Sequence, residues 1–211
     1  YLSMGGGIIK IGASETSLRK YLISVLGQFK TKYPNIQLHI SNTTYQFVEG
    51  CIKNGSLDFA IMTTPFPQNN LTNHHLIDFS MVAIAGTSYV HLTKHPLTYQ
   101  ELSEYPIISL EPRTSGRYYL DTLFATYGIH LKPDIELSSA DLIMPMAEQN
   151  MGIGFVPRFF AEQALQNRSV IELTLAEPLP GRSICMLIDS HRQHSLACQK
   201  FMEELGIPAE T

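Results

Sequence analysis

The run IIKIGASETSLRKYLISVLGQFKTKYPNIQLHI, Ile8–Ile40, decides the fold. Ile8–Gly12 is short, apolar and β-branched, the pattern of a buried strand. Ala13-Ser14-Glu15-Thr16-Ser17 follows with almost no room for a loop. An amphipathic helix then sets Leu18, Leu22, Val25 and Phe29 on one face, at i, i+4, i+7 and i+11. Arg19, Lys20, Gln28 and Lys30 fill the other face. Pro34 ends the helix, because the residue before a proline avoids the α region. Ile36–Ile40 alternates apolar and polar residues, which predicts a half-buried strand.

Working outward, Thr44–Lys53 reads as a helix stopped by the cap pair Asn54-Gly55. LDFAIM, Leu57–Met62, reads as a strand. The order β-α-β-α-β with short links predicts a parallel sheet with helices on its faces. Beyond a Pro/Asn-rich loop over 64–73, HHLIDF and MVAIAG predict two more strands. A second α/β set follows. It runs through the helix LTYQELSEY, the strand PIISL, the helix SGRYYLDTLFATYG and the strand DIELSS. It continues through ADLIMPMAEQN, a helix that Pro145 interrupts, the strand MGIGFVP, the helix RFFAEQALQN and the strand VIEL. The strand RSICMLI and the helix SLACQKFMEELG close the chain. The simplest path returns to the first lobe near Cys185. Lobe one is then 1–84 plus 185–211 and lobe two 85–184, with crossings near Ile84–Gly86 and Arg182–Cys185.

The 211 residues fit one large domain or two small lobes. Apolar residues make up 44% and charged residues 16%, enough for a real core. A net charge of −4 argues against this segment gripping nucleic acid alone, because phosphate binding needs a Lys/Arg excess on one face. No apolar run is long enough to span a membrane, and no signal peptide is visible. Cys51, Cys185 and Cys198 are an odd count at wide spacing, so a reducing cytoplasm is expected and a disulfide framework is not. The first residue is Tyr1, so the chain is expected to be cut from something longer.

Hydroxyls gather where strands end. In parallel α/β sheets ligands sit beyond the carboxyl ends of strands, at helix N-termini that offer free N–H groups and a partial positive charge. Ser14, Thr16 and Ser17 follow the first strand, and Thr63 and Thr64 follow DFAIM. Arg113, Thr114, Ser115 and Arg117 follow PIISL. Any one of these hydroxyls is adequately explained as a helix cap, since Ser and Thr are preferred there. Recurrence at strand ends in both lobes points instead to a polar pocket suited to a small anion or organic acid.

Taken in order, IKIGASETSLRKYLISVLGQFKTKYPNIQLHI, GSLDFAIMT, HPLTYQELSEYPIISL and MGIGFVP resemble the effector-binding domain of LysR-type transcriptional regulators. The likeness covers essentially the whole chain, and the opening segment is its most specific part. The resemblance implies a two-lobe α/β fold like type 2 periplasmic binding proteins, with Rossmann-like lobes joined by two crossover strands. It implies an effector held between lobes, and an upstream winged helix-turn-helix through which alone DNA would be bound. It assigns effector contacts to Ser14 and Thr16, to Thr63 and less surely Thr64, and to Thr114 or Ser115, with Phe155 on the wall. The two arginines of SLEPRTSGRYY depart from the family pattern: Arg113 or Arg117 is expected to pair a carboxylate or phosphate, the alternative being a solvated surface Arg. The resemblance also implies a homodimer or higher oligomer in which the first and last helices pair antiparallel between subunits. Ile23 and Leu26, with Phe201, Met202 and Leu205, are the residues concerned.

Other patterns carry less. Gly5-Gly6-Gly7 lacks a following GK[ST] and precedes a strand, so it reads as a joint and not a phosphate loop. Ser17-x-x-Lys20 lies inside a helix with no partner motif. His74-His75 and His191-x-x-His194 lack further ligands at metal spacing. Asp189, His191 and Ser195 are neighbours in sequence, whereas triads assemble from distant segments. No enzyme, cofactor or metal is expected, and no membrane contact. The competing reading is a secreted solute-binding protein for uptake of a small acid.

Overall fold

The computed structural model describes residues 6–208. Gly5 of the triple glycine lies outside them. The chain divides into two compact units, residues 1–77 with 183–211 and residues 78–182.

The first unit is built on a five-stranded sheet ordered β2-β1-β3-β10-β4. Its strands are β1 (Ile8–Ala13), β2 (Gln37–Asn42), β3 (Phe59–Thr63), β4 (Thr72–Phe79) and β10 (Arg182–Ile188). β1 lies in the middle of a parallel trio, with β2 on one side and β3 on the other. β10 runs antiparallel to β3. Every residue of β3 is buried, as expected of a strand covered on both faces. Its odd positions meet one layer of helices: Phe59 stacks on Phe201 at 5.2 Å, and Phe201 meets Phe29 edge-on at 5.1 Å. Its even positions, Ala60 and Met62, pack with Val48, Ile52 and Leu57 on the other face. β2 is an edge strand and mostly exposed, so its alternation carries less burial than the sequence pattern suggests.

The first helix departs from the expected stripe. Glu15–Ser17 (α1) is α-helical, Leu18–Leu22 is a π-helical turn, and α-helix resumes over Ile23–Lys32 (α2). The wide turn shifts the phase. The buried face becomes Leu22, Leu26 and Phe29, with Leu26 in the unit's own core and Ile23 left exposed. Helix α3 (Tyr45–Lys53) ends at Asn54, with Gly55 at φ 79° in the left-handed region that suits glycine.

The second unit repeats the plan in a sheet ordered β7-β6-β8-β5-β9. These strands are β5 (Met81–Gly86), β6 (Ile107–Leu110), β7 (Ile135–Leu137), β8 (Ile153–Pro157) and β9 (Val170–Leu173). β6 is parallel to β7 and β8, and β5 is antiparallel to β8 and β9. β5 therefore sits wholly in the second unit, although the sequence boundary at residue 84 splits it. Strand pairing between residues 70 positions apart is not visible in a local pattern. Residues Thr87–Lys94 form 3-10 helix, which the sequence reading did not anticipate. Tyr99–Leu102 is α4 and Ser115–Thr126 is α5. Pro145 does not interrupt its helix. It falls in the first turn of α6 (Ile143–Glu148), where a missing N–H costs nothing. Arg158–Gln166 is α7 and Leu196–Glu204 is α8. Phe201 and Met202 of α8 are buried in the first unit's core, as is Leu26.

Candidate functional site

In the first unit the carboxyl ends of β1, β2 and β3 lie side by side, and each runs into hydroxyl residues. Ser14 follows β1 directly. Its N–H reaches the Ile61 carbonyl at 3.2 Å, so the chain is still held to β3 as the helix begins. Its Oγ accepts from the Ser17 N–H at 3.2 Å and lies 3.0 Å from Ser17 Oγ. Ser14 is thus the N-cap. Ser17 is fully buried, with Oγ 2.6 Å from the Ile61 carbonyl, and ties helix to strand. Thr16 is also buried.

β2 ends in Asn42-Thr43-Thr44. The Thr43 N–H donates to the Ala13 carbonyl at 3.0 Å, which pins this loop beside the end of β1. Gly12 lets the loop come close: a Cβ there would stand 3.0 Å from the Thr43 methyl and 2.6 Å from Leu57. Thr44 is the N-cap of α3, yet its side chain makes no cap bond. Its Oγ1 is buried and has no hydrogen-bond partner among the described residues. A buried, unsatisfied hydroxyl costs about 1–3 kcal/mol, so its retention calls for an explanation. Sequence reasoning passed over Thr44, although the signal was the same as at Ser14: hydroxyls between a strand and a helix. β3 ends at Thr63, which is buried. The next residue, Thr64, is committed to structure: its Oγ1 accepts from the Ser183 N–H at 2.8 Å.

In the second unit β6 leads through Glu111-Pro112-Arg113 to α5. Arg113 is exposed and sits at φ 76°, a left-handed conformation that disfavours a side chain. Thr114 caps α5, accepting from the Arg117 N–H at 3.1 Å and donating to the Glu111 carbonyl at 3.0 Å. Ser115 is buried, and the structure thereby separates two residues the sequence left equivalent. Arg117 is spent on ion pairs with Asp121 and Glu136 and on the Leu110 carbonyl. Phe155 is a core residue, meeting Phe124 edge-on at 5.9 Å.

One buried cation escaped the sequence reading. Arg182 is 4% exposed, with Nη2 3.3 Å from Ser115 Oγ. Burial pulls its pKa down to about 10, so it stays protonated at neutral pH. A lone basic residue at the start of an apolar strand looks like a solvated end, and only the fold reveals its burial.

A separate pocket of about 90 Å3 lies against His74, Ser190, Arg192 and His194. It belongs to the opposite edge of the first sheet, since β10 ends there beside the start of β3. Its polar groups are tied to one another and to backbone. Arg192 donates to the Ile52 carbonyl at 3.1 Å, His194 Nε2 lies 3.0 Å from the Asp189 carbonyl, and Thr72 bonds Ser190. No three His, Cys, Asp or Glu side chains gather at metal-holding distance among the described residues. No helix among them is long and apolar enough to cross a membrane.

Two α/β units of matching strand order, each with a helix starting at the end of a central parallel strand, define a ligand-binding protein of the type 2 periplasmic-binding-protein-like fold. The chain belongs to the LysR substrate binding domain family, which matches residues 4–206. It is 26% identical to the Probable RuBisCO transcriptional regulator of Trichormus variabilis, over 96% of this chain and 62% of that protein. It is also 26% identical to the HTH-type transcriptional regulator CysB of Burkholderia cenocepacia, over 74% of this chain and 50% of that protein. The chain thus spans between half and two thirds of these relatives. Among solved structures, the CcmR regulatory domain of Synechocystis PCC6803 in complex with 2-PG superposes with a TM-score of 0.81 at 21% identity, covering 94% of this chain and 95% of that one. The effector binding domain of QuiR in complex with shikimate gives 0.80 at 19% identity, covering 95% and 96%. The family is the one the opening segment resembled.

Proposed function

We propose that this chain is the effector-sensing part of a LysR-type DNA-binding transcription regulator, and that its effector is a small anion or organic acid. One observation carries the reading. Thr44 keeps a buried hydroxyl with no hydrogen-bond partner among the described residues, at the meeting of three strand ends and two helix starts. A bound oxyanion supplies the acceptor that such a hydroxyl lacks, and helix N-termini favour negative charge. Thr16, in the first helical turn after β1, and Thr63, at the end of β3, belong to the other two parallel strand ends, and Ser14 holds the turn in shape. In the second unit Ser115 is the contact, with Thr114 as its supporting cap. The relatives support the acid class: the two solved neighbours were captured with 2-PG and with shikimate. The relatives' regulator names favour sensing over uptake or turnover. The DNA-binding region, and the dimer that would carry it, belong to the full-length protein.

Thermal unfolding against small anions and organic acids tests the assignment. A ligand at a hundred times its dissociation constant adds about 2.7 kcal/mol, or about 5–10 °C for a domain of this size. At least one acid should give that shift while its neutral amide does not. A panel in which neutral compounds shift the protein and acids do not would overturn the reading.

A further inference from the structure

The cavity of about 90 Å3 in the first unit lies at the opposite edge of the sheet from the hydroxyls assigned above. β4 contributes His74 to it, and α8 contributes Gln199. The turn after β10 contributes Ser190, Arg192, Gln193 and His194. Liquid water takes about 30 Å3 per molecule, so the space suits one small oxyanion in place of about three waters. A guanidinium and two imidazoles stand in the lining, and no carboxylate does among the described residues. The acid next in sequence, Asp189, accepts on Oδ1 from the His191 N–H at 3.0 Å.

The cation is fixed before any ligand arrives. Arg192 Nη1 donates to the carbonyls of Ile52 at 3.1 Å and Leu57 at 3.4 Å. Its guanidinium lies against Gly55, where a Cβ would stand 3.2 Å from Nη2. A side chain already held in place loses little rotamer freedom on binding. Two further bonds set which lining atoms accept. A carbonyl oxygen only accepts, so whatever bonds it must present a donor. Gln199 Nε2 reaches the His194 carbonyl at 3.0 Å, which makes Oε1 the acceptor end of that amide. His194 Nε2 lies 3.0 Å from the Asp189 carbonyl, so the ring proton sits on Nε2 and Nδ1 is the acceptor of the neutral ring. The cavity thus joins a fixed cation to two acceptors. Sulfate can use the cation, but it meets the acceptors lone pair to lone pair. An oxyanion that carries its own O–H can use both.

We propose that this cavity is a second ligand site, for a small oxyanion bearing an O–H: hydrogen phosphate or the smaller bicarbonate. Arg192 supplies the opposite charge, and the ligand's O–H donates to Gln199 Oε1 and His194 Nδ1. The site is separate from the strand-end hydroxyls and does not rest on the acid-sensor reading.

Phosphate, bicarbonate and sulfate are the probes, each titrated at neutral pH into the isotope-labelled wild type at constant ionic strength set with chloride. Amide shifts are followed by nuclear magnetic resonance. The amides of His74 and of residues 188–202 should move and saturate with phosphate, bicarbonate or both, and the tighter of the two names the ligand. Sulfate should bind there about tenfold more weakly, the size of one charge-assisted hydrogen bond. Gln199→Leu should cut that preference at least about threefold, and Arg192→Gln should weaken all three anions about tenfold. Sulfate binding as well as both protonated anions overturns the proposal, and so does an unchanged preference in Gln199→Leu. Shifts confined to residues 14–17 and 43–47 also overturn it, while supporting the strand-end site. The wild-type comparison decides by itself should either variant not fold.

Discussion

In the first unit the middle parallel strand, β1, runs into Ser14 with no loop, and Glu15 stands with the hydroxyls of Ser14, Thr16 and Ser17 in the first helical turn. In the second unit β6 runs through Glu111-Pro112-Arg113 before its helix begins, and a buried guanidinium stands behind the first helical residue. The two sheets share one strand order: a central parallel strand, a parallel neighbour on each side, then an antiparallel strand. The shared plan is the fold's solution to burying apolar strands under helices on both faces. The difference lies in polar chemistry laid over that plan. Hydroxyls and helix N–H groups accept many oxyanions, whereas a buried cation imposes a charge. The first unit's strand ends thus present hydroxyls and helix N–H groups, whereas the second unit places a buried guanidinium beside Ser115.

The largest effects test whether the two cores are separate. Phe59→Ala in the first unit and Phe124→Ala in the second should each cost about 3–5 kcal/mol, read by urea unfolding. Phe59 stacks on Phe201, and Phe124 meets both Tyr99 and Phe155. Amide exchange should quicken in β1–β3 for the first variant and in β6–β8 for the second. Equal loss across both sheets in either variant would make the comparison one of sequence stretches within a single cooperative block.

Alkaline pH should separate the units next. Burial pushes the Cys198 thiol of the first unit up to about 12, from an ordinary 9.0. Above pH 9 the unfolded thiol ionises while the folded one keeps its proton. Stability is therefore full below pH 9 and falls by about 1.4 kcal/mol per pH unit from there towards pH 12. Arg182 in the second unit works the other way. Its folded pKa is lowered, so the cost of burying the charge is present at neutral pH and is relieved as pH rises through about 10. Calorimetry of wild type and Cys198→Ala between pH 8 and 10 checks the first: the variant should lose the downward slope. An unchanged slope would place the alkaline sensitivity elsewhere.

Smaller effects distinguish capping from binding. Ser14→Ala and Thr114→Ala each remove a side chain that accepts from the helix backbone, Ser17 N–H in one case and Arg117 N–H in the other. Each should cost about 1 kcal/mol of stability, measured by urea unfolding without ligand. A variant that loses nothing in the absence of ligand would release its hydroxyl from the capping role and return it to direct contact.

Much of this arrangement is legible in the sequence, for reasons that can be named. The β-α-β-α-β run from Ile8 to Met62 is local: each turn of the chain is announced by a period, a cap or a proline. The hydroxyls at strand ends are legible because the α/β plan says where strand ends must be. What stayed hidden depends on phase or on distance. The π turn at Leu18–Leu22 changes which side of the helix faces inward, so Leu26 is buried where the 3.6-residue stripe leaves it outside. The pairing of β5 with β8 and β9 joins residues far apart in the chain. Arg182 is unremarkable in sequence until Phe79, Tyr119 and Ser115 close around it. Arg117 shows the converse: a basic residue at a helix start, taken up by Asp121 and Glu136.

The measurement that bears most directly on the account is Thr44→Val, read twice. Valine keeps the shape and removes the unsatisfied hydroxyl. If Thr44 is retained for a ligand, the ligand-free variant should be more stable than wild type by about 1 kcal/mol or more. The same variant should bind the acid that stabilises wild type about tenfold more weakly. A variant that is less stable without ligand, or that binds the acid as wild type does, would contradict the claim that the first unit's strand ends are built to hold an anion.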